Sequence, residues 1–484
     1  MMLLHLHIKP VLSYVMLFSL ASACGNIRSK PDMPDYTSVY QVASGKPVTM
    51  VMTAYSTSLI ANGKDSTLIR VSVADSAGRE ITGAGTSFQV YLTGDAIIRA
   101  KETGTQLLYK KGNDSIGCWN GRLFHGICWL SLRAGTKPDK IKVEIKSTGL
   151  WTASHEIHTL PSDFRMLKSD ASQLKPVQPG IEKMLGADIS FLPELEARGM
   201  KFYDHGRQRD LLMILKDHGL NYIRLRIFVN PENKKGYSPG KGYCGLDSTL
   251  KLAERIKKAG LNLSLNFHYS DYWADPQQQF KPDAWKNYDF GKLTDAVRSY
   301  TREVLRTFRE HGLLPKMVQI GNEINHGMLW PDGHISNPDN LARLIKAAAD
   351  GVREVDPSIV LMVHLALGGQ NKEAIFWLDN MIARGVDFDI LGLSYYPRWH
   401  GTLDDLAFNL DDLTRRYHIP VNVVEYSQYK KEVNDIVYRV PDNLGKGTCI
   451  WEPLNTFESV VDRDGHVNEK MNDFDLIRDK YFTK

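Results

Sequence analysis

Two glutamates stand where an apolar run of this sequence gives way to polar residues. Glu323 closes the run Met317-Val318-Gln319-Ile320-Gly321-Asn322-Glu323, and Glu425 closes Pro420-Val421-Asn422-Val423-Val424-Glu425. A nearly continuous apolar run of this kind reads as a strand covered on both faces. A carboxylate where such a strand meets its loop is placed where parallel barrels keep their reacting groups. Two carboxyls, one protonated and one ionised, are the equipment of glycosidic-bond cleavage. One gives a proton to the leaving oxygen; the other attacks the anomeric carbon, provided the carboxyls lie about 5–5.5 Å apart. The two glutamates share no local motif, so only barrel closure brings them together. One glutamate at a strand end is more often solvated or ion-paired, but two of them beside an aromatic rim favour catalysis.

The neighbouring residues suit that chemistry. Asn322 precedes Glu323 and is able to donate to a sugar hydroxyl or to the nucleophile. Arg224 and Arg226 share one apolar run, and a guanidinium near Glu425 would keep it ionised; Arg226 fits a structural ion pair equally well. Tyr395 and Tyr396 end another run and are able to bond a carboxylate. His268 opens a polar-aromatic stretch, whereas His364 also fits a satisfied core histidine. Tyr269, Tyr272, Trp273, Trp399 and Trp451 crowd the same strand ends, and flat rings suit the CH-rich faces of sugars.

The elements that must position these groups are legible as eight apolar runs: 184–189, 222–229, 261–267, 317–320, 359–367, 388–393, 421–424 and 448–451. Helical periods lie between them, as where Val297, Tyr300, Val304, Leu305 and Phe308 share a face within 295–311. Gly219, Gly260, Gly312 and Gly385 stand just before strands, where glycine takes the left-handed helix cap. Strands alternating with helices give a parallel sheet, and eight units give a (β/α)8 barrel. The structural alternative, an open doubly wound sheet, lacks its glycine-rich phosphate fingerprint.

Ahead of the barrel, short alternating runs between residues 48 and 157 predict an all-β immunoglobulin-like sandwich. Trp119, Trp129 and Trp151 fit its core better than a sugar platform. The boundaries read as a sandwich over 36–159, a linker over 160–182 rich in proline, and a catalytic barrel over 183–484.

Among 484 residues, 43% are apolar and the net charge is +4, which points to no nucleic-acid partner and no polyanion. The apolar stretch 11–20 leads to Ala21-Ser22-Ala23-Cys24, a secretory leader over 1–23. Small residues ending in Cys24 favour a lipoprotein signal over a plain one, with acyl chains as the membrane anchor. Cys118 and Cys128 flank a hairpin and are candidates for a disulfide; Cys449 reads as a buried thiol. No metal-ligand spacing occurs, and no cofactor is expected.

Residues 184 to about 455 resemble glycoside hydrolase family 53, the endo-β-1,4-galactanases. The resemblance rests on Gly186-Ala187-Asp188-Ile189-Ser190, Leu225-Arg226-Ile227-Phe228, Asn266 through Pro276, Gln319 through Glu323, Tyr395-Tyr396-Pro397, Val424-Glu425 and Trp451-Glu452-Pro453. It implies retaining hydrolysis of β-1,4-galactan, with Glu323 as acid/base and Glu425 as nucleophile. It further implies substrate or support roles for Asp188, Arg226, His268, Trp273, Asn322, His364, Tyr395, Trp399 and Trp451. Some family members hold calcium after the seventh strand; here 427–447 has only scattered acids, and no calcium is expected. Two competitors remain: a same-clan hydrolase of mannan, xylan or β-glucan, and a non-catalytic surface glycan binder.

Overall fold

The computed structural model describes residues 45–100, 116–170, 177, 180–456 and 458–482, all within one compact unit. The leader over 1–23 and Cys24 lie outside the described residues, as does the Cys118 side chain, so its pairing with Cys128 is untested. Among the described residues no helix is long and apolar enough to cross a membrane.

Eight parallel strands close a barrel: Met184–Asp188, Tyr222–Ile227, Asn262–Phe267, Met317–Ile320, Val360–Leu365, Ile390–Tyr395, Val421–Tyr426 and Gly445–Trp451. Each expected run contains or overlaps one of these strands. The helix over Phe290–Glu310 starts from an Asp289 cap and buries Leu293, Val297, Val304, Leu305 and Phe308, the expected face. Gly260 closes the helix over Leu246–Ala259 in the left-handed conformation, φ 72°, which a side chain at that point would resist.

The barrel interior is layered by chemistry. Met184, Tyr222, Met317, Met362, Ile390, Val424 and Cys449 form an apolar plug. Because side chains alternate along a strand, the residues two positions on, toward the carboxyl ends, also face inward. These are polar: Arg224, Gln319 and His364, with Ser394 and Asp188 four positions beyond Ile390 and Met184. The sequence thus closes the barrel with grease below and assembles a charged layer above it.

One irregularity matters for function. Leu393 pairs with Val423 but Ser394 pairs with Glu425, leaving Val424 as an extra residue on the seventh strand. Such a bulge lets two successive side chains turn to one side. Val424 enters the apolar plug, and Glu425 enters the charged layer directly above it.

The front domain is a sandwich. A four-stranded sheet (Thr49–Ala54, Ser66–Ala74, Cys128–Ala134, Ala96–Ala100) faces a five-stranded one (Ser58–Ile60, Ala153–Leu160, Lys140–Lys146, Ser87–Thr93, Ile116–Arg122). Their inward residues make one core that includes Ile69, Val71, Phe88, Leu130, Val143 and Ile157. Trp119 packs against this core and Trp129 against Tyr55 at 5.7 Å, but Trp151 is 74% exposed and so departs from the expected core role.

The sandwich is docked on the barrel through buried polar contacts. Glu373, at the start of the helix over Asn371–Ile382, accepts from the Thr57 amide at 2.6 Å, the Thr57 hydroxyl at 2.9 Å and Ser58 at 3.0 Å. Residues 161–170 form no helix or strand and run along that helix, with Phe164 against Phe376 and Ser169 bonded to Asp379 at 2.8 Å.

Candidate active site

Glu323 and Glu425 meet at the carboxyl ends of the fourth and seventh strands. An oxygen of each, and a ring nitrogen of His364, lie within 4.8 Å of one another. That is the close spacing of a direct nucleophilic attack, well short of the roughly 6.5–9.5 Å that leaves room for a water between acid and base. Both ring nitrogens of His364 are engaged by side chains, Nδ1 by Gln319 at 3.0 Å and Nε2 by Ser394 at 2.8 Å. The trio is therefore a hydrogen-bonded carboxyl pair rather than a ready set of metal ligands.

The chain bends sharply to deliver Glu323. Gly321 and Glu323 both take positive φ, at 76° and 50°, before a short helical turn over Ile324–His326. Left-handed backbone at a glutamate costs on the order of 1 kcal/mol or more and persists only where neighbours fix it. Here Gln279 holds the Asn322 carbonyl at 2.9 Å and Trp377 holds the Ile324 carbonyl at 3.0 Å.

Different donors serve the two carboxyls. Ser394 donates to Glu323 at 2.6 Å and is itself held by His364. Glu425 accepts from Arg224 at 3.2 Å and from the Tyr396 hydroxyl at 3.1 Å. Burial pushes Glu323 well above the ordinary carboxyl range, and the neighbouring charge of Glu425 adds to that. Burial also raises Glu425, but the Arg224 guanidinium and the Tyr396 hydroxyl oppose it. A proton shared by the pair therefore resides on Glu323. Burial and the two glutamates keep Tyr396 protonated, as a donor must be.

Arg224 is the hub of the charged layer. It bonds Asp188 at 3.0 Å, Gln319 at 3.1 Å, Asn322 at 3.0 Å and Glu425, so one buried cation ties the second strand to the first, fourth and seventh. Arg226, the arginine favoured by the family resemblance, is one layer higher and does not touch Glu425. It bonds Glu452 at 2.6 Å and is sandwiched between the rings of Phe191 and Trp273, each 4.3 Å from the guanidinium carbon.

The remaining expected residues divide between cavity and support. Asp188, Arg226, His268, Trp273, Asn322, Trp399 and Trp451 line one cavity of about 630 Å³ with both glutamates. Asn322 accepts from Arg224 and Asn266 and donates to the Ala274 carbonyl at 2.9 Å, which fixes its amide. His268 Nδ1 accepts from the Ala274 amide at 3.1 Å, and burial with two nearby arginines keeps its ring neutral. His364 is fully buried and supports the site from beneath, also neutral through burial.

Tyr395 is a correction. It is fully buried and its hydroxyl bonds the Gly401 carbonyl at 3.3 Å, away from the carboxyls. Alternation along the sixth strand, continued through the extended Tyr396 just past its end, puts Ser394 and Tyr396 on the cavity face and Tyr395 on the other.

Sequence reasoning assigned no role to Ser394, Glu452, or the sandwich residues Thr57, Ser154, His155, Glu156 and His158, which line the same cavity. Glu452 belongs to the stretch Trp451-Glu452-Pro453, and only its contact with Arg226 reveals its part. In the segment after the seventh strand, Asp435 is taken up by Lys480 at 2.7 Å and Tyr481 at 2.5 Å.

Both domains resemble known proteins. Residues 184–443 match Glycosyl hydrolase family 53, and residues 50–156 match Glycoside hydrolase family 2 C-terminal domain 5. An uncharacterized protein from the bgaB 5′ region of Niallia circulans is 41% identical, covering 56% of this chain and 83% of that protein. The arabinogalactan endo-β-1,4-galactanase of Humicola insolens is 37% identical, covering 55% and 88%. The solved GH53 catalytic domain of Ignisphaera aggregans superposes with a TM-score of 0.59 at 32% identity, over 63% of this chain and 99% of that one.

Proposed function

The chain belongs to glycosyl hydrolase family 53, and from that membership we propose that it cleaves internal β-1,4-galactosidic bonds of arabinogalactan with retention of configuration. The observation that carries the mechanism is the pair of carboxyls within 4.8 Å, held in unequal environments. Glu425, kept available as an anion by Arg224 and Tyr396, attacks the anomeric carbon. Glu323 passes its proton to the departing glycosidic oxygen. A water then enters, gives a proton to Glu323 and its oxygen to the anomeric carbon, and Glu425 leaves as a carboxylate. Two inversions give net retention.

The walls suit a polysaccharide. Trp273 and Trp451, 6.3 Å apart at the cavity rim, offer flat apolar faces, and Asn322, His268 and Asp188 offer fixed polar groups between them. The galactan preference rests on the relatives, since galactanases recur among them.

Incubation with linear β-1,4-galactan, beside mannan, xylan and β-glucan, tests the reading. Short galacto-oligosaccharides from galactan alone, born as the β-anomer by NMR, are the expected result. Cleavage of a control polymer instead would keep the mechanism and discard the substrate. Intact polymers throughout would favour a glycan-binding protein.

Export, with Cys24 as a lipid-bearing residue, is part of the same proposal and rests on the leader sequence. Cys24→Ser should release the enzyme from the membrane fraction.

A further inference from the structure

We propose that the front sandwich is part of the polysaccharide-binding cleft, its last strand presenting Ser154, His155 and Glu156 to the sugars on the leaving-group side of the cut bond. The inference rests on the galactanase reading above and adds a binding wall to it. That wall lies outside the family's catalytic domain, whose match begins at residue 184.

Four observations lead to it. The three residues line the same continuous cavity as Glu323 and Glu425.

The wall is also held rigidly. Thr57 bonds Glu373 and, at 2.9 Å, His326, all of them buried. These buried bonds fix one orientation of the two domains, which a sugar subsite built from both requires.

The side of the bond follows from chemistry. His326 lies in the short turn that begins at Glu323, so the sandwich abuts the acid's own turn. The acid protonates the leaving oxygen and therefore borders the leaving sugar. The aromatic group around Trp273 and Trp451 belongs to other strands, the third and the eighth, and is left for the sugar that is attacked.

The polar groups match a hydroxyl-rich ligand. His155 Nε2 donates to the Met52 carbonyl at 3.0 Å, and burial pushes its pKa down to about 4, so the neutral ring keeps Nδ1 as an acceptor. Glu156 is half-buried and steadied by Lys140 at 3.2 Å. A carboxylate has acceptor sites to spare for a second pair of hydroxyls.

The test is the cleavage pattern of galactohexaose labelled at its reducing end. Losing leaving-side hydrogen bonds should disfavour binding modes that place many sugars there. For Glu156→Ala and His155→Ala the ratio of long to short labelled fragments should fall about three- to tenfold, with Glu156→Gln intermediate. The ratio is independent of how much of each variant is folded. An unchanged ratio would overturn the inference, whether total rate is kept or falls equally at every bond. A wild-type enzyme that cuts no galactan would instead withdraw the substrate reading itself, and this inference with it.

Discussion

Ser394, on the sixth strand, and Tyr396, the residue just past its end, serve the two glutamates separately: Ser394 donates to Glu323 and Tyr396 to Glu425. Each hydroxyl thus lowers one carboxyl against the burial that raises both. The seventh strand reaches this register only through its extra residue, Val424.

Tyr396→Phe should lower kcat/KM on galactan roughly 10- to 100-fold, the worth of a hydrogen bond to a charged group. Tyr395→Phe should leave kcat unchanged and cost about 1 kcal/mol of stability by losing its bond to Gly401. Parallel kinetics and thermal melts of the two variants decide this; equal kinetic losses would refute the assignment of Tyr396.

Glu323→Ala should lose about 10²–10⁴-fold on galactan, the usual contribution of a general acid. The loss should shrink on aryl galacto-oligosaccharides whose leaving group needs no proton. Azide should then restore turnover and give a β-configured galactosyl azide, because it enters from the vacated acid side. An α-configured product would reverse the roles of Glu323 and Glu425.

The pH profile of kcat/KM should be a bell. Activity requires Glu323 protonated and Glu425 ionised, so it falls as pH rises through the raised value of Glu323 and as pH falls through that of Glu425. Ser394 stabilises the charged form of Glu323, so Ser394→Ala should move the alkaline limb upward. Arg224 stabilises charged Glu425, so Arg224→Met should move the acid limb upward. It should also destabilise the protein by about 3–5 kcal/mol, because buried acids lose their cation. Limbs that move downward would contradict the hydrogen-bond assignments.

Glu373 controls domain docking. Burial raises its pKa, but its contacts with His326 and Thr57 outweigh that, and the folded value is lowered. A depressed carboxyl contributes stability that is present above its unfolded value and is lost as pH falls through the folded value. Glu373→Ala should therefore cost about 3 kcal/mol near neutrality and much less in acid. Calorimetry of wild type and variant across pH would show it; a cost that grows in acid would contradict it.

The sequence by itself settled what depends on local pattern. Apolar runs broken by helical periods and capping glycines determined an eight-stranded barrel, and a carboxylate at the ends of two runs marked the candidate site. It could not decide between Tyr395 and Tyr396, because a strand buried on both faces shows no alternation. Nor could it see that Val424 is an extra residue, since a bulge exists only relative to the partner strand. Arg224 and Arg226 look alike in one apolar strand; barrel closure alone puts Arg224 beside Asp188 and Glu425 and Arg226 beside Glu452. The part played by the sandwich was hidden for the same reason. Thr57 and Glu373 are remote in the chain, and their bond, like the wall it steadies, belongs to the tertiary structure.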